Sequence, residues 1–144
     1  MEIYKKVLEF RRKYPFTIGF RLKQHCDIIE KHLNPGEIVK CAFFGQKNDR
    51  NISIPNSYVV ALSNKRILLG RKRLLFGYFF YGITPDLFND LKVKSNVFWG
   101  QIIIDTVKEI VKISNISKSA LCEIETEITE YMMNEKRNIN KKDK

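Results

Sequence analysis

From Pro35 to Ser114 the apolar residues recur with a period of two, and no stretch in between is long enough for a crossover helix. That pattern restricts the architecture sharply, because parallel strands need a connection of a dozen or more residues and antiparallel strands do not. Val39, Cys41 and Phe43 alternate with Lys40 and Ala42, as in a half-buried strand. Tyr58, Val60 and Leu62 alternate next, and Ser63-Asn64-Lys65 supplies a turn in which Asn tolerates positive φ. Arg66 to Lys72 returns as the partner strand, and Gly77 to Ile83 follows, stopped by Thr84-Pro85-Asp86. Leu91 to Lys94, Phe98 to Asp105 and Glu109 to Ser114 complete a run of seven strand-like segments. Lys47-Asn48-Asp49-Arg50-Asn51 reads as a polar loop, closed by Pro55-Asn56.

On both sides the period changes to that of a helix. Ile3, Val7, Phe10 and Tyr14 form one stripe, ended by Pro15, which pushes its predecessor out of the α region. Leu22, Cys26, Ile29 and Leu33 form a second stripe, stopped at Asn34-Pro35-Gly36. After the strands, Leu121, Ile124, Ile128, Tyr131 and Met132 share one face of a helix over 117–134. Ser117 or Ser119 is placed to cap it, and Glu123, Glu127 and Glu130 mark a solvated face. Residues 135–144 read as a short charged, disordered tail.

A chain of 144 residues is one domain's worth. Its three cysteines, Cys26, Cys41 and Cys122, are scattered and odd in number, which argues against a disulfide framework or a zinc site and for a reducing cytoplasm. There is no apolar signal core at the N-terminus, and no apolar run approaches the roughly 18 residues of a membrane span. The reading is a cytoplasmic protein, soluble or peripheral to the membrane. The net charge of +10 favours acidic partners, although the 117–134 stretch is itself net acidic.

Catalytic chemistry finds no foothold in this pattern. His25 and His32 lie two helical turns apart, about 10 Å of rise, too far to share one metal ion. Asp86 with Asp90, or Asp105 with Glu109, could be drawn as acid–base pairs, yet all four fall at strand ends or turns, where acidic residues are ordinary. No glycine-rich phosphate loop is present. The expectation is a non-enzymatic protein with no cofactor and no metal.

The remaining distinctive feature is a basic triplet, Arg71-Lys72-Arg73, set against Phe76, Tyr78, Phe79, Phe80 and Tyr81. On one strand, Phe76, Tyr78 and Phe80 would face one way and Phe79 and Tyr81 the other. One set enters the core; the other lies under a neighbouring helix or forms a contact surface with the cations.

His32-Leu33-Asn34-Pro35-Gly36-Glu37, Val60-Ala61-Leu62-Ser63-Asn64-Lys65-Arg66-Ile67-Leu68-Leu69, Ile83-Thr84-Pro85-Asp86-Leu87 and Trp99-Gly100-Gln101-Ile102-Ile103-Ile104 follow one another in an order that resembles the bacterial PH-like domain family. The resemblance covers residues 35–134 and implies the pleckstrin-homology fold. That fold is mainly β, a barrel of seven antiparallel strands in two near-orthogonal sheets, capped by a C-terminal α-helix. Residues 1–34 fall outside it as an N-terminal helical extension. Relatives of this fold often bind phosphoinositides through basic residues near the first hairpin, where this chain offers Lys47 and Arg50 without the usual Lys-x-Arg pattern. Lys65 and Arg66 are further basic candidates. The resemblance implies a binding or scaffold module.

Three partner classes follow for the surface formed by Arg71, Lys72, Arg73, Phe76, Tyr78, Phe79, Phe80 and Tyr81. A protein partner or self-assembly is the favoured one, because rings outnumber cations and such rings are enriched at interfaces. An anionic membrane surface is the alternative. Nonspecific nucleic-acid binding is the third, with no recognised motif behind it.

Overall fold

The computed structural model describes residues 2–47 and 56–142. Helices α1 (Glu2–Lys13) and α2 (Leu22–His32) precede seven strands: β1 (Val39–Gln46), β2 (Ser57–Ser63), β3 (Ile67–Lys72), β4 (Tyr78–Ile83), β5 (Phe88–Ser95), β6 (Trp99–Thr106) and β7 (Ile110–Ser117). A 3-10 turn, Lys118–Ala120, leads into helix α3 (Leu121–Lys142). The polar loop after Lys47, with Arg50, lies outside the described residues.

Every neighbouring pair of strands is antiparallel, in the order β4-β3-β2-β1-β7-β6-β5. The seven strands make one curled, half-barrel sheet with a natural fold line. Among the described residues only Gln46 and Ser114 are register partners between β1 and β7, so four strands on one side and three on the other meet along a short seam. The mainly-β architecture with a terminal helix is therefore present as the periodicity implies.

Inside the curl, Phe43, Val60, Leu62, Ile67, Leu69 and Ile83 of the first four strands meet Ile102, Ile104, Ile113 and Ile116 of the last three. The α3 stripe of Leu121, Ile124, Ile128, Tyr131 and Met132 closes this core. Gly100 admits α3 at close range: a Cβ there would stand 2.2 Å from a Leu121 methyl. Ser117 and Ser119 do not cap the helix as expected; their hydroxyls face each other at 2.9 Å, and no side-chain cap is formed. The helix also runs on to Lys142, beyond the end of the apolar stripe at which it was expected to stop. Glu135, Lys136 and Arg137 are good helix formers, and Lys136 Nζ donates to the Phe88 carbonyl at 2.5 Å, holding the extra turns against β5.

The helical hairpin α1–α2 lies on the outer face of β1–β3. Ile3, Val7, Leu22, Cys26 and Ile29 pack there on Ala42, Phe44, Val59, Ala61 and Leu68. This outer layer corrects the half-buried reading of β1, since Ala42, Phe43 and Phe44 are all buried. It also explains why β2 is buried at every position. Strands covered on both faces read as continuous apolar runs, as Tyr58-Val59-Val60-Ala61-Leu62 does. Gly70 marks the closest approach: a Cβ there would come within 2.6 Å of Ile29.

A hydrogen-bonded knot ties α2, β1 and the β2–β3 turn together. Asn34-Pro35-Gly36-Glu37 is a tight turn, with Glu37 N–H donating to the Asn34 carbonyl at 3.0 Å and Gly36 at φ 78°. Glu37 then accepts from Arg66 Nε and Nη2 at 3.0 Å each, from the Ser63 hydroxyl at 2.5 Å and from Asn34 N–H at 3.0 Å. Arg66 also donates to the His32 carbonyl at 3.0 Å. Asn64 does not take up the left-handed conformation expected of it; instead its side-chain oxygen accepts from Ile38 N–H at 2.8 Å.

Candidate functional site

The β3–β4 hairpin projects from this doubly covered sheet. Arg71 pairs with Phe79 and Lys72 with Tyr78, and beyond them Arg73 N–H donates to the Gly77 carbonyl at 3.1 Å. Gly77 stands at φ 76°, a conformation that favours glycine, so the chain turns back sharply. Leu74, Leu75 and Phe76 are left at the tip with 55%, 82% and 86% of their surface exposed. Lys72 and Arg73 are exposed beside them, and Tyr78 is 52% exposed at the root.

The root is held firmly. His25, fully buried in α2, accepts the Lys72 N–H on Nδ1 at 2.8 Å, and Arg21 Nη1 donates to the Lys72 carbonyl at 3.3 Å. Burial, helped by the nearby Arg21 and Arg71 charges, pushes the imidazole pKa down to about 4, which keeps it a neutral acceptor. Arg71 is not free for a partner in the way Lys72 and Arg73 are. Its guanidinium lies 5.2 Å from the Tyr58 ring centroid, and its Nε is buried.

The aromatic run divides three ways. Phe79 and Tyr81 turn inward against the main core, Phe79 meeting the Tyr58 ring edge-on at 5.7 Å. Phe80 turns outward and is covered by the end of α2, its ring stacked on His32 at 4.2 Å and 12°. Arg66 lies 5.5 Å from the same ring on its way to Glu37. Phe76 does not share a strand face with Tyr78 and Phe80 as the alternation implied, because β4 begins only at Tyr78 and Phe76 belongs to the turn. Alternation separates 78 and 80 from 79 and 81 correctly; the tip obeys turn geometry instead.

The secondary basic candidates are scattered. Lys47 borders a small recess with Tyr58, Phe79, Tyr81 and Lys112. Lys65 is exposed on the β2–β3 turn, and Arg66 is committed to the Glu37 knot. These cations do not gather around the tip.

Leu74 and Leu75, exposed at the tip, escape a search for rings and cations because they lie between them. A groove between α1, β1 and α3 was also invisible in the sequence. It encloses about 240 Å³ over Phe10, Cys41, Phe43 and Ile124, and Lys13 and Tyr14 both donate to Glu123 across it. Burial, with Glu127 and Glu123 nearby, pushes the Cys41 thiol up to about 12, so it is not a thiolate nucleophile. Among the described residues no cluster of His, Cys, Asp and Glu is placed to hold a metal ion. Asp90 and Asp105 sit opposite each other on β5 and β6 rather than around a cleft. No helix among the described residues is long and apolar enough to cross a membrane.

No curated protein matches the chain. The model of the family described as "Bacterial PH domain" matches residues 33–140, from the end of α2 to the last turns of α3. With three-quarters of the sequence matched, and with seven antiparallel strands and a closing C-terminal helix in place, the chain belongs to the bacterial PH domain family.

Proposed function

We propose that this PH-like domain is a non-enzymatic binding module that docks on anionic membrane surfaces through the β3–β4 tip. PH-like domains are generally binding or scaffold modules, which supplies the class. The observation that carries the finer reading is the tip itself: three apolar residues, 55% to 86% exposed, on a narrow hairpin with Lys72 and Arg73 at its neck. A narrow apolar finger can enter the headgroup region while the cations stay with anionic lipid, each contributing about 1 kcal/mol. The sequence favours self-assembly because rings outnumber cations. With Phe79 and Tyr81 packed against the main core and Phe80 under α2, fewer rings are left for such an interface, which supports the membrane reading.

Sedimentation with phosphatidylserine-containing vesicles tests the reading. Binding should be present at low salt and weaken steeply towards physiological salt. Changing Lys72 and Arg73 together to Ser should weaken it by about thirtyfold, two cations at about 1 kcal/mol each. Leu75→Ser with Phe76→Ser should reduce it independently of salt. No binding at low salt would refute the membrane reading, and a discrete oligomer by light scattering would then return the tip to self-association.

A further inference from the structure

The Trp99-Gly100-Gln101 segment, which the membrane reading does not use, borders a further, open concavity. It encloses about 280 Å³ among the end of β5, the start of β6 and the middle of β7. A bulge creates it. Gly100 pairs with Ile116 and Ile102 with Ile113, so two residues, Ser114 and Asn115, stand opposite the single Gln101. Asn115 adopts φ 59°, its carbonyl accepting from Ile18 N–H at 2.9 Å. Bulges of this kind re-aim side chains, and here Asn115 joins Gln101 in the lining.

The polar atoms are partly committed and partly open. Gln101 Nε2 donates to the Ser114 hydroxyl at 2.9 Å, and Asn115 Nδ2 donates to Gln46 Oε1 at 2.8 Å. Asn96 Oδ1 accepts from the N–H groups of Phe98 and Trp99 at 3.2 and 3.0 Å. Those bonds leave Gln101 Oε1 and Asn115 Oδ1 as acceptors and Asn96 Nδ2 as a donor, oriented by their committed halves. Trp99 also lines the concavity, its indole fixed by Nε1–H donating to the Phe16 carbonyl at 2.7 Å. Lys94 is the one charged group in the lining, and it is exposed.

We propose that this concavity is a binding site for a neutral polyhydroxylated ring, a pyranose sugar, stacked on Trp99 and hydrogen-bonded to Gln101, Asn115 and Asn96. Mixed amide donors and acceptors beside a rigid indole match a ring that presents hydroxyls at its edge and C–H groups on its face. The absence of any carboxylate and the single peripheral cation in the lining favour an uncharged ligand over a phosphate. The volume lies just under the roughly 300 Å³ at which drug-sized pockets begin, so one ring fits and affinity is modest, with Kd on the order of 1–10 mM.

Trp99 is the only tryptophan in the chain and reports on the site directly. Methyl glucoside, methyl galactoside and methyl mannoside would be titrated to about 100 mM, followed by Trp99 emission and by amide and indole NMR shifts. Vesicles of neutral lipid carrying a glucosyl headgroup form a parallel arm, which distinguishes a free sugar from a glycolipid as the source. The expected result is a saturable change confined to Trp99, Gly100, Gln101 and Asn115, unaltered by salt. Gln101→Ala should weaken it about fivefold, the loss of one hydrogen-bonding group. Asn115→Gly, compatible with the positive φ, should weaken it similarly if Gln101→Ala fails to fold. No saturable change in either arm, equal binding by the folded variants, or steep loss with salt would each overturn the proposal. A failure of the tip to bind phosphatidylserine vesicles would leave this site untouched.

Discussion

Replacing Glu37 with Gln probes the knot that fixes α2 and both strands of the first hairpin. The Glu37 side chain has no solvent exposure and that of Arg66 is 16% exposed, so the pair is shielded from water. Burial alone would raise the carboxyl pKa, but bonds from Arg66, the Asn34 N–H and the Ser63 hydroxyl overcome it and hold the group down to about 2. Against the ordinary 4.5, at about 1.4 kcal/mol per pH unit, the charge contributes roughly 3 kcal/mol. The folded-state pKa is depressed, so this contribution is complete above pH 4.5 and is lost as pH falls towards 2. By about pH 3 roughly 2 kcal/mol of it should be gone. His25 acts in a higher window: its pKa falls from 6.5 to about 4 on folding, so stability declines as pH drops through that interval in both proteins. Urea unfolding of the native chain and Glu37→Gln isolates the lower window. The difference in unfolding free energy should be about 3 kcal/mol near pH 7 and about 1 kcal/mol near pH 3. A difference that stays constant with pH, or is below about 1 kcal/mol at neutrality, would refute the assignment of the knot as a charge-dependent clamp.

Two further perturbations test the layers on either side of the sheet. Gly70→Ala should destabilise the protein by about 1–3 kcal/mol in chemical denaturation, because its methyl would meet Ile29 at 2.6 Å and the His25 carbonyl at 3.1 Å. An unchanged midpoint would mean that α2 does not rest on β3. Ile124→Asp should abolish the cooperative unfolding transition, since the side chain is 4% exposed in the main core and an unpaired buried charge costs several kcal/mol. Native-like near-UV circular dichroism for that variant would show that α3 is dispensable.

The strands and helices were readable because their apolar periods differ. The match to the PH family lay in short motifs whose physical meaning became visible only in three dimensions. His32 to Glu37 and Ser63 to Arg66 are distant in sequence, yet they supply the two halves of one hydrogen-bonded knot. Arg66 therefore read as a surface cation when it is a structural one. The outer layer was hinted at by the unbroken apolar run of β2, but which element covered it depends on tertiary packing that a period cannot report. Within the candidate surface, Arg71, Phe79, Phe80 and Tyr81 were singled out by residue type, and packing withdraws each of them to a different degree. Leu74 and Leu75 take their place, because a turn exposes side chains irrespective of their hydrophobicity. The bulge at Ser114 and Asn115 leaves no signature in composition, since it arises from a mismatch in strand register.

The central claim is that the β3–β4 tip enters an anionic bilayer surface, and a tryptophan placed there reads it directly. Phe76→Trp in a Trp99→Phe background puts the only indole at a position 86% exposed in the native chain. On adding phosphatidylserine vesicles at low salt, its emission should shift to the blue and become quenchable by brominated acyl chains, as an indole moving from water into the interface does. Emission that stays water-like while the protein sediments with the vesicles would contradict the claim.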